Sequence, residues 1–106
     1  MFARKVSMHL KPGKTAEFKQ KIEGEVIPLL RKQKGFLDEV TFSYLSGREV
    51  QAITFWDRAE DAEAYNRGKY PQATKILASV VEGAIRVQTY EVLNSTFNKT
   101  AVAVAV

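Results

Sequence analysis

The chain has 106 residues, 45% of them hydrophobic and 26% charged, which favours one globular domain over a disordered or membrane chain. It contains no cysteine, which excludes disulfides and thiolate metal sites. No run approaches the roughly 18 apolar residues of a membrane-spanning helix, and the N-terminus lacks the apolar core of a signal peptide, so we expect a cytoplasmic protein.

The net charge of +4 is unevenly distributed along the chain. Residues 1–35 hold nine Lys/Arg against three Asp/Glu, and the remainder holds seven against nine. A first helix with a solvated basic face explains this, and a nucleic-acid surface is the alternative.

A strand and a long helix are predicted first. Residues 2–10 alternate as in a strand with one buried face, with Val6, Met8 and Leu10 on one side and Lys5, Ser7 and His9 on the other. From Lys14 to Lys34 the apolar residues recur at helical spacing, and Pro28 predicts a kink or break because it lacks an N–H. Gly35 predicts a left-handed end to this helix.

A β-hairpin is predicted next. Strand-like runs at residues 36–45 and 49–56 are separated by a short segment that contains a glycine, which is typical of a hairpin. After the second run, Asp57 and Glu60 have the spacing of a capping box, which predicts the start of a second helix.

The last part of the chain predicts an interrupted helix and a final strand. The helix is expected to break near Gly68–Tyr70, to continue from Pro71, and to end at Gly83. Residues 84–93 then alternate as a strand. The order is strand, helix, strand, strand, helix, strand, which predicts an α+β, ferredoxin-like βαββαβ domain at residues 1–94: a four-stranded antiparallel sheet with helices on one face.

The uncovered face of this sheet predicts a homodimer. Its expected residues are partly apolar: Thr41, Ser43, Leu45, Ile53 and Phe55. Because exposed apolar faces tend to find a partner, we expect two copies to pack sheet to sheet. The C-terminal tail, residues 95–106, ends in alternating Ala and Val, which predicts a strand that pairs with the partner subunit; a frayed end is the alternative.

Three segments together resemble the antibiotic biosynthesis monooxygenase family of small dimeric α+β barrels. They are GFLDEVTF, ITFWDRAEDAEAY and YPQATKIL, and the resemblance covers about residues 3–94. It implies a substrate cavity between the sheet and the helices beside the family tryptophan, a place that Trp56 occupies. It also implies a monooxygenase-like activity, since some members oxygenate phenols or hydroquinones with O₂ and no metal or flavin, whereas others degrade haem. We therefore expect no cofactor and a small aromatic substrate.

Several positions depart from the active sets of this family. Anthrone-oxidising members carry an Asn four residues before the tryptophan and a Tyr six after it, where this chain has Ala52 and Ala62. Haem-degrading members carry a second Trp and a His where this chain has Tyr65 and Lys75. Haem binding is therefore not expected, and the residues of the anthrone reaction are missing.

Cofactor-free oxygenation requires a dry apolar slot, a base and a group that stabilises an oxyanion. The candidate catalytic residues are Trp56, Tyr65, His9 and Arg86, and the candidate substrate-binding residues are Phe18, Phe42, Tyr44 and Asn66. Aromatic side chains would hold a flat substrate by stacking, His9 is a candidate base because histidine is the residue type suited to proton transfer near neutral pH, and Arg86 would bind an anion. Each candidate also has a purely structural interpretation: the aromatic rings would pack against the sheet, His9 would be solvated or hydrogen-bonded, and Arg86 would form a surface ion pair.

Two other functional interpretations stay open. The same fold supports a non-catalytic, small-molecule-binding or stress-associated dimeric barrel. RNA binding is the other, because Lys34–Phe36 begins like an RNP1 motif, although Asp38 and Glu39 then place carboxylates where stacking aromatics are needed. A single histidine and no cysteine give no ligand spacing for a transition metal.

Overall fold

The computed structural model describes residues 1–45 and 48–96; the predicted turn at Ser46–Gly47 and the predicted tail strand within residues 97–106 lie outside this range. The described elements follow in chain order: β1 (Phe2–Leu10), α1 (Thr15–Lys21), a π-helical segment (Ile22–Val26), α2 (Ile27–Arg31), β2 (Phe36–Ser43), β3 (Glu49–Trp56), α3 (Ala59–Gly68), α4 (Tyr70–Leu77) and β4 (Val81–Glu91). No helix in this range is long and apolar enough to cross a membrane.

The sheet has the strand order β2-β3-β1-β4, and its neighbouring strands are antiparallel. The helices cover one face, where Met8, Leu10 and Val50 pack against Leu30 and Leu77 in the core. The predicted α+β ferredoxin-like class is therefore confirmed.

The first helical region is not broken at Pro28, because a π-helical segment leads directly into α2. Ile27 N–H donates to the carbonyl of Ile22, five residues back, and Pro28 follows at the start of α2. The widened turn accommodates the proline ring and its missing N–H without ending the helical region. Gly35 then has φ of +79°, as predicted.

Two local predictions in the second half are wrong. The helix α3 has Arg58 at its N-cap and no side-chain capping bond, so Asp57 and Glu60 do not form the expected box. Gly83 does not end a helix: α4 stops at Leu77, and Gly83, with φ of +75°, lies within β4 where the pairing with β1 is irregular. A bulged strand uses the same left-handed backbone as a helix end, so glycine marks both.

A bulge in β2 changes which side chains face the helices. The register shifts between Phe36 and Asp38, so that Glu39 pairs with Thr54 and Thr41 with Ala52 on the helix-covered face. The expectation that Thr41 and Ser43 belong to the open face is therefore wrong. Val40 and Phe42 lie there with Ile53 and Phe55, since one extra residue reverses the alternation.

Candidate functional site

A row of three polar residues crosses the helix-covered face of the sheet. Arg4 on β1 pairs with Thr54 on β3, and Thr54 pairs with Glu39 on β2. With neighbouring strands just under about 5 Å apart, the Cα atoms of Arg4 and Glu39 are separated by about 10 Å. A cation and a carboxylate thus stand on either side of a hydroxyl on this face.

Arg4 is a buried cation that aromatic rings and an amide surround. Its side chain is almost wholly enclosed, with 3% of the residue exposed. Nη2 donates to Asn66 Oδ1 at 2.7 Å, and Cζ lies 3.9 Å from the ring centroid of Tyr70 and 5.6 Å from that of Tyr65. Within residues 1–45 and 48–96, Arg4 forms no ion pair with a carboxylate. The aromatic faces of Tyr65 and Tyr70 and the amide of Asn66 therefore stabilise the buried positive charge.

Trp56 is sealed in the core and backs the site without lining it. The residue has no exposed surface, and its Nε1 donates to Thr54 Oγ1 at 2.8 Å. Its ring stacks on Tyr65, with 5.2 Å between centroids, and meets Phe36 edge-on at 5.7 Å. Tyr65, on the far side of this stack, lines the cavity together with Tyr70.

The cavity between sheet and helices is small. Its volume is about 40 Å³, and its polar lining includes Arg4, Glu39, Thr54 and Tyr65 among aliphatic side chains. Since a water needs roughly 10–15 Å³ measured this way, the space suits two or three waters and not an aromatic ring. The substrate-sized cavity that the family resemblance implies beside Trp56 is thus not open in this structure.

Two larger grooves adjoin the cavity, each through one of its charged residues. The inner groove, of about 320 Å³, runs between α1, the π-helical segment and the edge of β2, and shares Glu39 and Ile22 with the cavity. The outer groove, of about 250 Å³, lies between α3 and strands β1 and β4, and shares Arg4. Glu39 and Arg4 therefore stand at the two boundaries of the cavity.

Burial shifts the pKa of two groups that line the cavity, the Glu39 carboxyl and the Tyr65 phenol. Burial raises the pKa of the Glu39 carboxyl above its ordinary value of 4.5, although the hydrogen bond from Thr41 Oγ1, at 2.5 Å, opposes this. Burial raises the pKa of Tyr65 to about 12, even with Arg4 nearby to lower it. Tyr65 consequently stays protonated at neutral pH, whereas Glu39 is the better base.

The predicted site residues divide between the two faces of the sheet. Tyr65 and Asn66 contact Arg4, Trp56 stacks on Tyr65 behind them, and Phe18 lines the inner groove. His9, Arg86 and Phe42 lie on the open face, and Tyr44 lies beyond the end of β2 with 56% of its surface exposed. The catalytic roles of His9 and Arg86 stay predictions, on the opposite side of the sheet from the cavity.

Four residues of the site were not predicted: Arg4, Glu39, Thr54 and Tyr70. The position of Arg4 could have been predicted. It stands two residues before Val6 and four before Met8 on β1, so the alternation of side chains places it on the same buried face. Glu39 had no such signal, since the bulge in β2 decides its direction. Among the described residues, no three His, Asp or Glu side chains cluster as they would to hold a metal ion.

The fold is shared with solved structures. A Nitrosomonas europaea protein of unknown function matches with a TM-score of 0.76 and 15% identity over 92% of this chain and 93% of that one. A protein from the same organism, provisionally named an antibiotic biosynthesis monooxygenase, matches at 0.72 and 17% over 89% and 100%. SnoaB, a cofactor-independent oxygenase from Streptomyces nogalater, matches at 0.72 and 11% over 92% and 97%. No family model matches the sequence, and neither does any curated protein.

At such low identities these likenesses establish the fold. The resemblance seen in the sequence is confirmed at that level: the chain has the architecture of proteins named as antibiotic biosynthesis monooxygenases.

Proposed function

We propose that this protein is a cofactor-independent monooxygenase that uses O₂ to oxidise a small phenol or hydroquinone-type molecule. The observation that carries the proposal is the position of Glu39. This half-buried carboxylate, whose pKa burial raises, stands where the inner groove meets a cavity that also contains the Arg4 guanidinium. A base and a cation on opposite sides of a largely apolar space are what the reaction requires.

The inner groove supports the binding of an aromatic substrate. Its volume of about 320 Å³ falls in the range of small-molecule sites, and Phe18, Ile22, Ile27 and Val50 give it apolar walls. A flat ring that lies against these side chains would bring a hydroxyl to Glu39 at the cavity boundary. The small cavity beyond would then hold O₂ or the water that is formed, both of which fit about 40 Å³.

The chemistry balances with O₂ as the sole oxidant. Glu39 accepts the phenolic proton, and the resulting anion transfers one electron to O₂, giving a ring radical and superoxide. Their recombination forms a carbon–oxygen bond and leaves a peroxide anion, to which Glu39 returns its proton. The resulting hydroperoxide then loses water as the ring C–H proton leaves. One oxygen atom ends in the quinone carbonyl and the other in water, and the substrate supplies all the electrons. The positive charge of Arg4 stabilises the anion and the superoxide through the low-dielectric interior.

A non-catalytic binding protein is the second candidate. It is favoured by the sealed state of Trp56 and by Ala52 and Ala62, which stand where oxygenating members of the family carry polar groups. Under this interpretation the inner groove binds an aromatic ligand without turnover.

Oxygen uptake in chelator-treated buffer, with a panel of naphthols and hydroquinones, tests the proposal. We expect uptake with quinone formation, and a loss of about 10²–10⁴ in rate for Glu39→Gln, which keeps the shape and the acceptor for Thr41. Glu49→Gln makes the same chemical change beside His9 on the open face and is expected to retain the rate. A loss for His9→Gln with none for Glu39→Gln would move the base to the other face. Binding without uptake across the panel would favour the second candidate.

The predicted homodimer belongs to the same proposal. The open face carries Phe42 with 55% and Tyr90 with 45% of the residue exposed, together with Val40, Ile53 and Phe55. An apolar surface of this kind supports pairing of two sheets.

A further inference from the structure

The outer groove is lined by three residues that carry hydrogen-bond donors, Arg4, Asn66 and Thr89. Arg4 reaches it from β1, Thr89 stands opposite Arg4 on β4, and Asn66 projects from α3. Asn66 Oδ1 accepts from the guanidinium, which has no acceptor of its own, so the amide NH₂ is directed away from Arg4. The groove therefore presents a guanidinium, an amide NH₂ and a hydroxyl.

The Arg4 guanidinium has hydrogen-bond donors that its neighbours do not use. It carries several N–H donors, yet Asn66 Oδ1 is the one side-chain acceptor that residues 1–45 and 48–96 provide for it. Burying a cation without an anion is unfavourable, and stacking on Tyr70 compensates it only in part. An enclosed, planar cation with free donors is a receptor for a carboxylate, which it can bind through two parallel hydrogen bonds.

The charge at the groove is positive. Glu63 is the carboxylate that lines it, and Arg67 neutralises Glu63 across 3.4 Å. Glu39 lies on the cavity side beyond Thr54 and does not line this groove. The rest of the wall is apolar, with Phe2, Ala62 and Val87, so a ligand with a small hydrophobic body and one negative group matches it.

We propose that the outer groove is a binding site for a small aromatic carboxylate, whose negative group binds Arg4, Asn66 and Thr89. The site is distinct from the inner groove, and its occupation does not depend on oxygenation. Asn66 holds the guanidinium in place, and Tyr70 fixes its plane.

Binding of benzoate and of benzamide, measured by calorimetry on the wild-type chain, tests this site. The two probes have nearly the same shape and differ in charge. We expect benzoate to bind at least about tenfold more tightly, because hydrogen bonds between charged partners contribute more than neutral ones. Absence of this preference, or of benzoate binding at tens of millimolar as an order of magnitude, would overturn the proposal.

The variant Asn66→Asp locates the site without removing the cation. It places a carboxylate beside Arg4, which would pair with the guanidinium and repel the ligand, so the benzoate preference should vanish while the fold is retained. Asn94→Asp makes the same charge change at an exposed position and should keep the preference. Arg4→Met should also lose it, with circular dichroism as the check of folding; if that variant does not fold, Asn66→Asp decides. A preference that survives in Asn66→Asp would refute the site. These titrations involve no turnover, so their failure is separate from failure of the oxygenase proposal.

Discussion

Replacing Gly35 by alanine tests whether the turn between α2 and β2 depends on a close approach to α3. Gly35 has φ of +79°, and a Cβ built on it would lie 2.7 Å from Asp61 Cβ and closer still to the carboxyl group. Asp61 is buried in the first turn of α3, with 8% of the residue exposed, so it has little room to move. Two costs therefore add: a left-handed backbone and a steric overlap.

The magnitude follows from these two terms. An L-residue in the left-handed region costs about 1–2 kcal/mol, and forcing an extra methyl into a packed site costs about 1–3 kcal/mol more. Alanine restricts the unfolded chain, which returns roughly 0.4–1 kcal/mol. We expect Gly35→Ala to lower the free energy of unfolding by about 1–5 kcal/mol, with a central value of about 3 kcal/mol, a large part of the roughly 5–15 kcal/mol typical of a domain.

Urea unfolding followed by circular dichroism measures this change. Gly13→Ala is the matched control, because Gly13 has φ of +73° but nothing within 4 Å of an added Cβ. It should show the backbone cost alone. If Gly35→Ala were no more destabilising than Gly13→Ala, the packing of Asp61 against this turn would not limit the position, and the reasoning would be refuted.

Three further predictions concern the site and the open face. Burial raises the pKa of Glu39 in the folded state, so ionisation of this carboxyl opposes folding. The free energy of unfolding should therefore fall as the pH rises from about 4.5, the ordinary pKa, through the raised pKa of the folded state. Glu39→Gln should flatten this part of a plot of melting temperature against pH. Trp56→Phe removes the hydrogen bond to Thr54 and part of a fully buried ring, and should cost about 2–3 kcal/mol in urea unfolding; a change below about 1 kcal/mol would mean that the indole is not a core element. Phe42→Asp places a charge on the open face and should convert the predicted homodimer to monomer in sedimentation, whereas an unchanged mass would remove that face from the interface.

The fold class followed from periodicity because each element has a one-sided pattern. Val6, Met8 and Leu10 on β1, and Phe18 and Ile22 in the first helical region, lie in the core as their spacing predicts. Burial of apolar surface places these side chains in the core. The signal recurs in several elements, so an error in one element does not change the predicted topology.

The details that went wrong depend on a few hydrogen bonds. Asp57 and Glu60 match a capping pattern, yet the backbone of Asp57 donates to the carbonyl of Gly35 instead and the helix starts two residues later. Gly83 has the left-handed backbone expected of a helix end, but uses it within β4. Local patterns of this kind are shared by several structures, and tertiary contacts select one of them.

The sequence by itself determined the order of elements and the helix-covered face of β1, because these result from alternation and hydrophobic burial. It left Trp56 as either a packed core ring or the wall of a pocket, and the structure placed the ring in the core. Only the tertiary structure decided where the polar groups meet. A single extra residue in β2 turned Glu39 inward, and strand order brought it level with Thr54 and Arg4. Residues so far apart in the chain become neighbours through sheet register, which depends on a bulge that the alternation of side chains does not reveal.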